Sequence, residues 1–306
     1  MSISTAVILG SPRSGTTFLM HVLNGLPDSE CMVGTLLPVA IPHVVNQDIP
    51  RDVYEALAVG FERSLDAYLH SARFYSRGAA LQKWGAAPTG LRGLIDAFKG
   101  NRKGIQRLIY KEPFLSLAPD FTYQALPEAR IIHIYRDGRD VANSLVRSYD
   151  VLSNERLTNL LGSEMRLGRS YDGVHYVPWW VEAGKDDEFM AGSPYVRAIW
   201  MWKYMVRRCH DFFSRPEIEQ SGRVMLLRYE DLMRQPEKYG KAVLDHLGAK
   251  PSKHFWKRLR SAHADSIGKY RKRDKAEVEA AERIAGEELR LYGYTLSSST
   301  AETVSA

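Results

Sequence analysis

Val7-Ile8-Leu9-Gly10-Ser11-Pro12-Arg13-Ser14-Gly15-Thr16-Thr17-Phe18-Leu19 is the stretch from which the rest of the chain is read. The apolar run Ala6 to Leu9 has the make-up of a buried β-strand. It feeds a Gly/Ser/Pro turn that opens directly into an apolar-rich helical stretch, Thr16 to Leu26. In that order, a strand, a glycine-bearing turn and a helix bring successive backbone N–H groups onto one anion, and the helix adds the positive end of its dipole. Gly10 and Gly15 stand where the backbone must pass close to a neighbour or take positive φ, and Thr16 and Thr17 bring hydroxyls to the helix start.

The triphosphate-binding form of such a loop reads G-x-x-x-x-G-K-[ST], its Lys reaching the β- and γ-phosphates and its hydroxyl holding Mg²⁺. Here Gly10 and Gly15 keep the spacing, Thr16 stands in the Lys position, and the cation is Arg13, inside the loop. The loop therefore suits a smaller terminal anion better than a γ-phosphate with its metal.

Outward from the loop, two further apolar runs end in a cation: Arg107 to Lys111, halted by Pro113, and Arg130 to Arg136. In an open α/β sheet ligands gather at the carboxyl ends of parallel strands, which places Lys111 and Arg136 beside Arg13. Helical spacing is expected over Arg51 to Ala72, Thr89 to Phe98, Asp137 to Arg147, Tyr195 to Phe213, Pro236 to Leu247 and Glu277 to Tyr292, with a strand over Arg223 to Arg228. Cys31 to Pro50 reads as a loop-rich pocket wall. Ser148 to Pro194, which holds Trp179-Trp180, reads as a functional insertion or lid. Strands alternating with helices predict an α/β fold: a P-loop-like parallel sheet with helices on both faces. Residues 1–296 are expected to form a single domain with an insertion at 148–194, and the Ser/Thr-rich stretch 297–306 a disordered tail.

The 306 residues are 44% hydrophobic and 25% charged, enough to build a substantial core, and carry a net charge of +6. Ten cations against Asp265 and Asp274 crowd Lys250 to Lys275, which suits an anionic ligand and would equally suit a nucleic acid or another polyanion. Two distant cysteines, Cys31 and Cys209, show no metal-binding spacing. A strand beginning within a few residues of Met1 leaves no room for a signal peptide, and no apolar run approaches the roughly 20 residues that span a bilayer. A reduced, cytoplasmic protein is expected.

Ser11-Pro12-Arg13-Ser14-Gly15-Thr16-Thr17 resembles the 5′-phosphosulfate loop of sulfotransferases that use 3′-phosphoadenosine 5′-phosphosulfate (PAPS). Four more segments share the likeness, which covers roughly residues 5 to 290 apart from Ser148 to Pro194. Arg136-Asp137-Gly138-Arg139-Asp140-Val141-Ala142-Asn143-Ser144 is similar to the segment whose Arg and Ser grip the 3′-phosphate. Ile267 to Arg273 is similar to the basic segment that closes over the same group, which implies binding roles for two of Arg271, Lys272 and Arg273, with Arg271 and Lys272 the expected pair. Tyr229-Glu230-Asp231 looks like the segment whose Tyr lies by the adenine, and Phe18 holds a position where relatives carry a second aromatic. Tyr110-Lys111-Glu112-Pro113 resembles the Lys-[Asp/Glu]-Pro segment of the tyrosylprotein and carbohydrate branches, whose Lys stabilises the group in transfer.

The likeness implies transfer of a sulfuryl group from PAPS to an acceptor hydroxyl, releasing 3′-phosphoadenosine 5′-phosphate (PAP), with no metal. Arg13, Ser14, Gly15, Thr16, Thr17, Phe18, Arg136, Ser144, Tyr229, Arg271 and Lys272 would hold the donor. Arg13 and Lys111 would face the sulfuryl oxygens, and Glu112 would be the base, with Glu30 and His43 in reserve. A small molecule, a carbohydrate or a peptide tyrosine would serve as acceptor; a nucleic acid would not be a partner. A P-loop kinase and a non-catalytic polyanion-binding protein are the other readings of the same residues.

Overall fold

The computed structural model describes residues 3–33, 40–70, 105–149, 152–158 and 168–297, together with the isolated positions 91 and 95. A five-stranded sheet, parallel throughout, forms its centre. In chain order the first elements are β1 (Ser4–Leu9), α1 (Thr16–Leu23), β2 (Ser29–Val33), α2 (Ala40–Val45), α3 (Arg51–His70) and β3 (Arg107–Lys111). A 3₁₀ turn (Pro113–Leu117) then leads to α4 (Pro119–Ala125), β4 (Arg130–Tyr135), α5 (Gly138–Ser148) and α6 (Asn154–Thr158). A two-stranded antiparallel hairpin, β5 (Gly168–Ser170) with β6 (Tyr176–Pro178), precedes α7 (Asp186–Ala191) and the long α8 (Pro194–Phe213). The chain closes with α9 (Pro216–Gln220), β7 (Val224–Arg228), α10 (Tyr229–Arg234), α11 (Pro236–Leu247), α12 (Lys253–Leu259), a 3₁₀ turn (Lys269–Lys272) and α13 (Lys275–Leu291).

Sheet order is β2-β3-β1-β4-β7. The chain leaves β1 toward β2 and β3 on one side and then crosses to β4 and β7 on the other. That reversal opens a crevice at the carboxyl end of β1, where open α/β sheets bind ligands. Alternation along β1 sorts the core: Val7 and Leu9 pack with Leu108, Tyr110 and Ile131 under α3 and α4, while Ala6 and Ile8 pack with Ile109, Ile132 and Ile134 under α1 and α10 to α12. Helices thus cover both faces, as the alternating pattern predicts. Outside the sheet, α5, α8, α13 and the hairpin share a third cluster that contains Trp180, Trp202 and Leu289.

Several boundaries differ from the sequence expectation. The first helix stops at Leu23 rather than Leu26, because Gly25 and Leu26 close it with 3₁₀-type backbone bonds to Val22 O and Leu23 O. The stretch 31–50 contains the end of edge strand β2 and helix α2. Buried Ser29 and Glu30 hide the strand's apolar pattern, and Pro42 falls in the first turn of α2, where its missing N–H costs nothing. The span 148–194 holds α6, the hairpin and α7. Ser297, expected to begin the tail, donates its N–H and hydroxyl to Glu282 at 2.9 and 2.8 Å. Of the helix expected over 89–98 only positions 91 and 95 are described, both helical, and residues 298–306 lie outside the described residues.

Candidate active site

The loop between β1 and α1 is pressed against its neighbours. Gly10 has φ 146° and Gly15 φ 98°; a Cβ on the first would run into the carbonyl oxygen of Ile134, and one on the second into the ring of Tyr229. The Gly10 N–H donates to Ser116 Oγ at 2.8 Å, and the buried hydroxyls of Ser11 and Ser14 meet at 2.7 Å. The N-cap of α1 is Gly15, which has no side chain to cap the first turn, the setting in which a helix head accepts an anion. Arg13 takes the left-handed φ of 73°, a strained backbone that turns its guanidinium outward: Nε donates to Ser144 Oγ at 3.0 Å, and Cζ lies 5.6 Å from the Tyr149 ring centre.

Arg136 leaves the end of β4 and is 4% exposed. Its Nη2 donates to Ser266 O at 2.6 Å and its Nη1 to Arg13 O at 3.4 Å, while Nε is buried and has no hydrogen-bond partner among the described residues. The guanidinium stacks over Tyr229 at 4.6 Å. Tyr229 itself is buried, wedged between Gly15 and Arg136, with its hydroxyl 3.0 Å from Ser266 Oγ. The ring therefore braces the loop and the arginine together. Phe18 is half-buried against the same apolar cluster.

Beside this arginine, Asn143, Arg147, Lys269, Lys272, Arg273 and Asp274 line a polar cleft of about 630 Å³. The sequence left open which of Arg271, Lys272 and Arg273 turn inward. Lys272 and Arg273 line the cleft, with Arg273 also held by Glu277 and by Asn143 Oδ1 at 3.2 Å. Arg271 stays exposed, folded back against Gly268 and 5.5 Å from the ring of Tyr270.

On the other side of β1, Lys111 is the last residue of β3, and its Nζ reaches Thr17 Oγ1 at 3.4 Å, at the head of α1. Burial lowers the ammonium pKa from its usual value, and the neighbouring Glu112 carboxylate opposes that shift. Glu112 is buried and caps the 3₁₀ turn, its Oε1 accepting the Phe114 N–H at 3.1 Å. Burial raises its carboxyl pKa against the opposing pull of that N–H and of Lys111. Pro113 does bend the chain directly after the strand, so two adjacent residues that alternation would send to opposite faces share one corner.

Of the reserve bases, Glu30 pairs in register with Leu108 while Val33 pairs with Lys111, which sets Glu30 about 10 Å before the carboxyl edge. It is buried and accepts the Tyr68 hydroxyl at 3.5 Å. His43 lies on α2, which packs on the 3₁₀ turn through Asn46 Nδ2 to Leu117 O at 3.1 Å. Its ring sits 5.6 Å from Trp179, and burial lowers its pKa. Trp180 is core, edge-on to Phe189, whereas Trp179 stands half-buried between His43 and Tyr204. His21 is half-buried in α1, its pKa lowered by burial and then by Arg258 and Lys111.

Sequence reasoning passed over Ser116, Ser266, Arg147 and Lys269. Ser116 lies four residues beyond Glu112 in the run Pro-Phe-Leu-Ser-Leu, where a lone hydroxyl amid buried apolar residues is the signal of a polar partner nearby.

A sequence profile of the sulfotransferase family matches residues 6–191, well over half of the chain. The chain belongs to the sulfotransferase family. It is a transferase of sulfuryl groups, and the match runs through the region 148–191 that the motif likeness left uncovered. No curated protein matches the chain. Among solved structures it is similar to the sulfotransferase domain of the Synechococcus PCC 7002 olefin synthase, at 19% identity over 96% of each chain with a TM-score of 0.49. Sulfotransferase STF9 from Mycobacterium avium is 15% identical, covering 97% of this chain and 78% of its own, at a TM-score of 0.47. Mouse sulfotransferase SULT7A1, solved with PAP, is 13% identical over 94% and 84%, at 0.45. No helix among the described residues is long and apolar enough to cross a membrane.

Proposed function

We propose that this sulfotransferase takes its sulfuryl group from PAPS and delivers it to a hydroxyl acceptor. The observation that carries the reading is Arg136: a buried guanidinium at a strand end, its Nε unpartnered among the described residues, next to a glycine loop that opens into a helix with no side-chain cap. Burying a cationic donor without an acceptor is costly, and a phosphate supplies the charge and the lone pairs that repay it. Ser144, Arg13 and Lys272 complete the 3′-phosphate end, residues 14–17 the 5′ end, and Phe18 a ring for the base, while Tyr229 braces rather than faces the nucleotide.

In this reading PAPS supplies an activated sulfuryl group whose bond to the 5′-phosphate breaks as a bond to the acceptor oxygen forms. Lys111, held at Thr17, neutralises charge on the sulfuryl oxygens, and the N–H groups at the head of α1 take up charge left on the phosphate. Glu112 accepts the acceptor's proton. Its raised carboxyl pKa strengthens it as a base. A second assignment has an observation of its own: His43, its pKa lowered by burial and its ring tilted against Trp179, is also competent to take a proton.

Calorimetric titration with PAP, ADP and ATP, with and without Mg²⁺, tests the donor. Metal-independent PAP binding, at least tenfold tighter than ADP, is expected; a preference for Mg-ATP would overturn the proposal.

A further inference from the structure

The polar cleft is assembled from pieces far apart in sequence, helix α5 and the segment 269–274, and Arg136 at the end of β4 is joined to both through Asp140 and Ser266. One side chain ties them together. Asp140, in the first turn of α5, is 2% exposed. Its Oδ2 accepts the Gly268 N–H at 2.6 Å and its Oδ1 the Tyr270 N–H at 3.0 Å, and Oδ2 lies 3.7 Å from Arg136 Nη2. Gly268, at φ 75°, makes the left-handed turn that aims both N–H groups at one carboxylate. From the other side Ser266 O receives Arg136 Nη2 at 2.6 Å. A carboxylate so near an anion pocket would repel the anion were it exposed. Burial, two N–H donors and a guanidinium instead absorb its charge.

We propose that Asp140 is the positioning residue of the donor pocket: a buried clamp that holds the segment 266–273 on α5 and thereby sets Lys269, Lys272 and Arg273 around the 3′-phosphate. The inference rests on the PAPS reading. It makes selectivity for a 3′-phosphorylated nucleotide depend on a residue that never touches the ligand. Without the clamp the cations remain in the chain but lose their common geometry, and point charges on long side chains bind poorly when not held.

The test is titration of wild type, Asp140→Ala and Asp140→Asn with PAP and with adenosine 5′-phosphosulfate, which lacks the 3′-phosphate, alongside hydrogen exchange at the amides of Gly268 and Tyr270. Asp140→Ala is expected to weaken PAP by about tenfold or more, as loss of charge-assisted hydrogen bonds does, and to leave adenosine 5′-phosphosulfate within about twofold. Both amides should exchange faster. Asp140→Asn keeps the size and one acceptor and should fall between the two, which also guards against a misfolded Ala variant. In the Asp140→Ala background, Lys272→Ala should add little, because the lysine has already lost its place. Unchanged PAP affinity, or equal loss for both ligands, would overturn the clamp. Failure of wild type to bind PAP at all would instead bring down the donor reading itself.

Discussion

The two flanks of β1 are built by different rules. On the β4 side, Arg13, Arg136, Ser144 and the segment 266–273 are fastened to one another by side chain and backbone, and Tyr229 is packed beneath them. On the β3 side, Lys111 reaches Thr17 by a long bond, Glu112 caps a turn, and His43 approaches from a six-residue helix. Recognition of a fixed anion rewards a rigid cradle prepared in advance. Chemistry on an incoming hydroxyl needs groups that can accept a proton and adjust, so this flank carries the shifted pKa values of Lys111, Glu112 and His43.

The sharpest break in that contrast comes from Glu112→Gln. Loss of a positioned base lowers kcat by about 10²- to 10⁴-fold, and with the β4 flank intact PAP affinity should stay within about twofold. Steady-state rates paired with calorimetry check this; retained turnover, together with loss in His43→Gln, would move the base to α2. Arg136→Ala should do the reverse. PAP should weaken by about 10- to 100-fold, the worth of charge-assisted bonds, with adenosine 5′-phosphosulfate much less affected. Equal weakening of both ligands would remove Arg136 from the 3′-phosphate end.

The smallest effect concerns the strand that presents Arg136. His133 is fully buried among Tyr135, Phe213 and Tyr292, and burial pushes its pKa down to about 3. The unfolded chain takes up this proton near pH 6.5 and the folded chain does not. Stability is therefore whole above that pH and is lost as pH falls from there toward 3. Between pH 7 and 5.5 the loss should be about 1 kcal/mol, and His133→Phe should lack it in urea titrations at the two pH values. An identical acid dependence in the variant would assign the loss to other groups.

These contrasts also explain what was legible in the chain. The loop 10–17, Lys111 and Arg136 are readable because backbone-mediated anion binding demands contiguous residues, and the parallel strands read as unbroken apolar runs. Asp140 was visible only as an acid in a helix's first turn. Its partners are the N–H groups of residues about 130 positions later, and no local pattern announces them. Strand β2 was hidden by its buried Glu30, and nothing local announced that the Tyr229 ring would also pack under Arg136. The β3 flank, where the proposed reading puts the acceptor, draws single residues from α2, the 3₁₀ turn, the segment after the hairpin and α8, so its order in space is not an order in sequence.

Arg139 stands one residue before Asp140 and is 2% exposed. Its guanidinium is closed by Asp137 on the same helix, by Glu282 at 2.5 Å, 143 residues on, and by Thr295 O at 3.0 Å, 156 residues on. At about 5 to 20 residues per second, synthesis of the intervening stretch takes roughly 7 to 30 seconds. The sheet and the phosphate loop have their residues well before the neighbourhood of Arg136 does. The nascent polypeptide thus passes through a period in which the loop after β1 is complete and the neighbourhood of Arg136 is not.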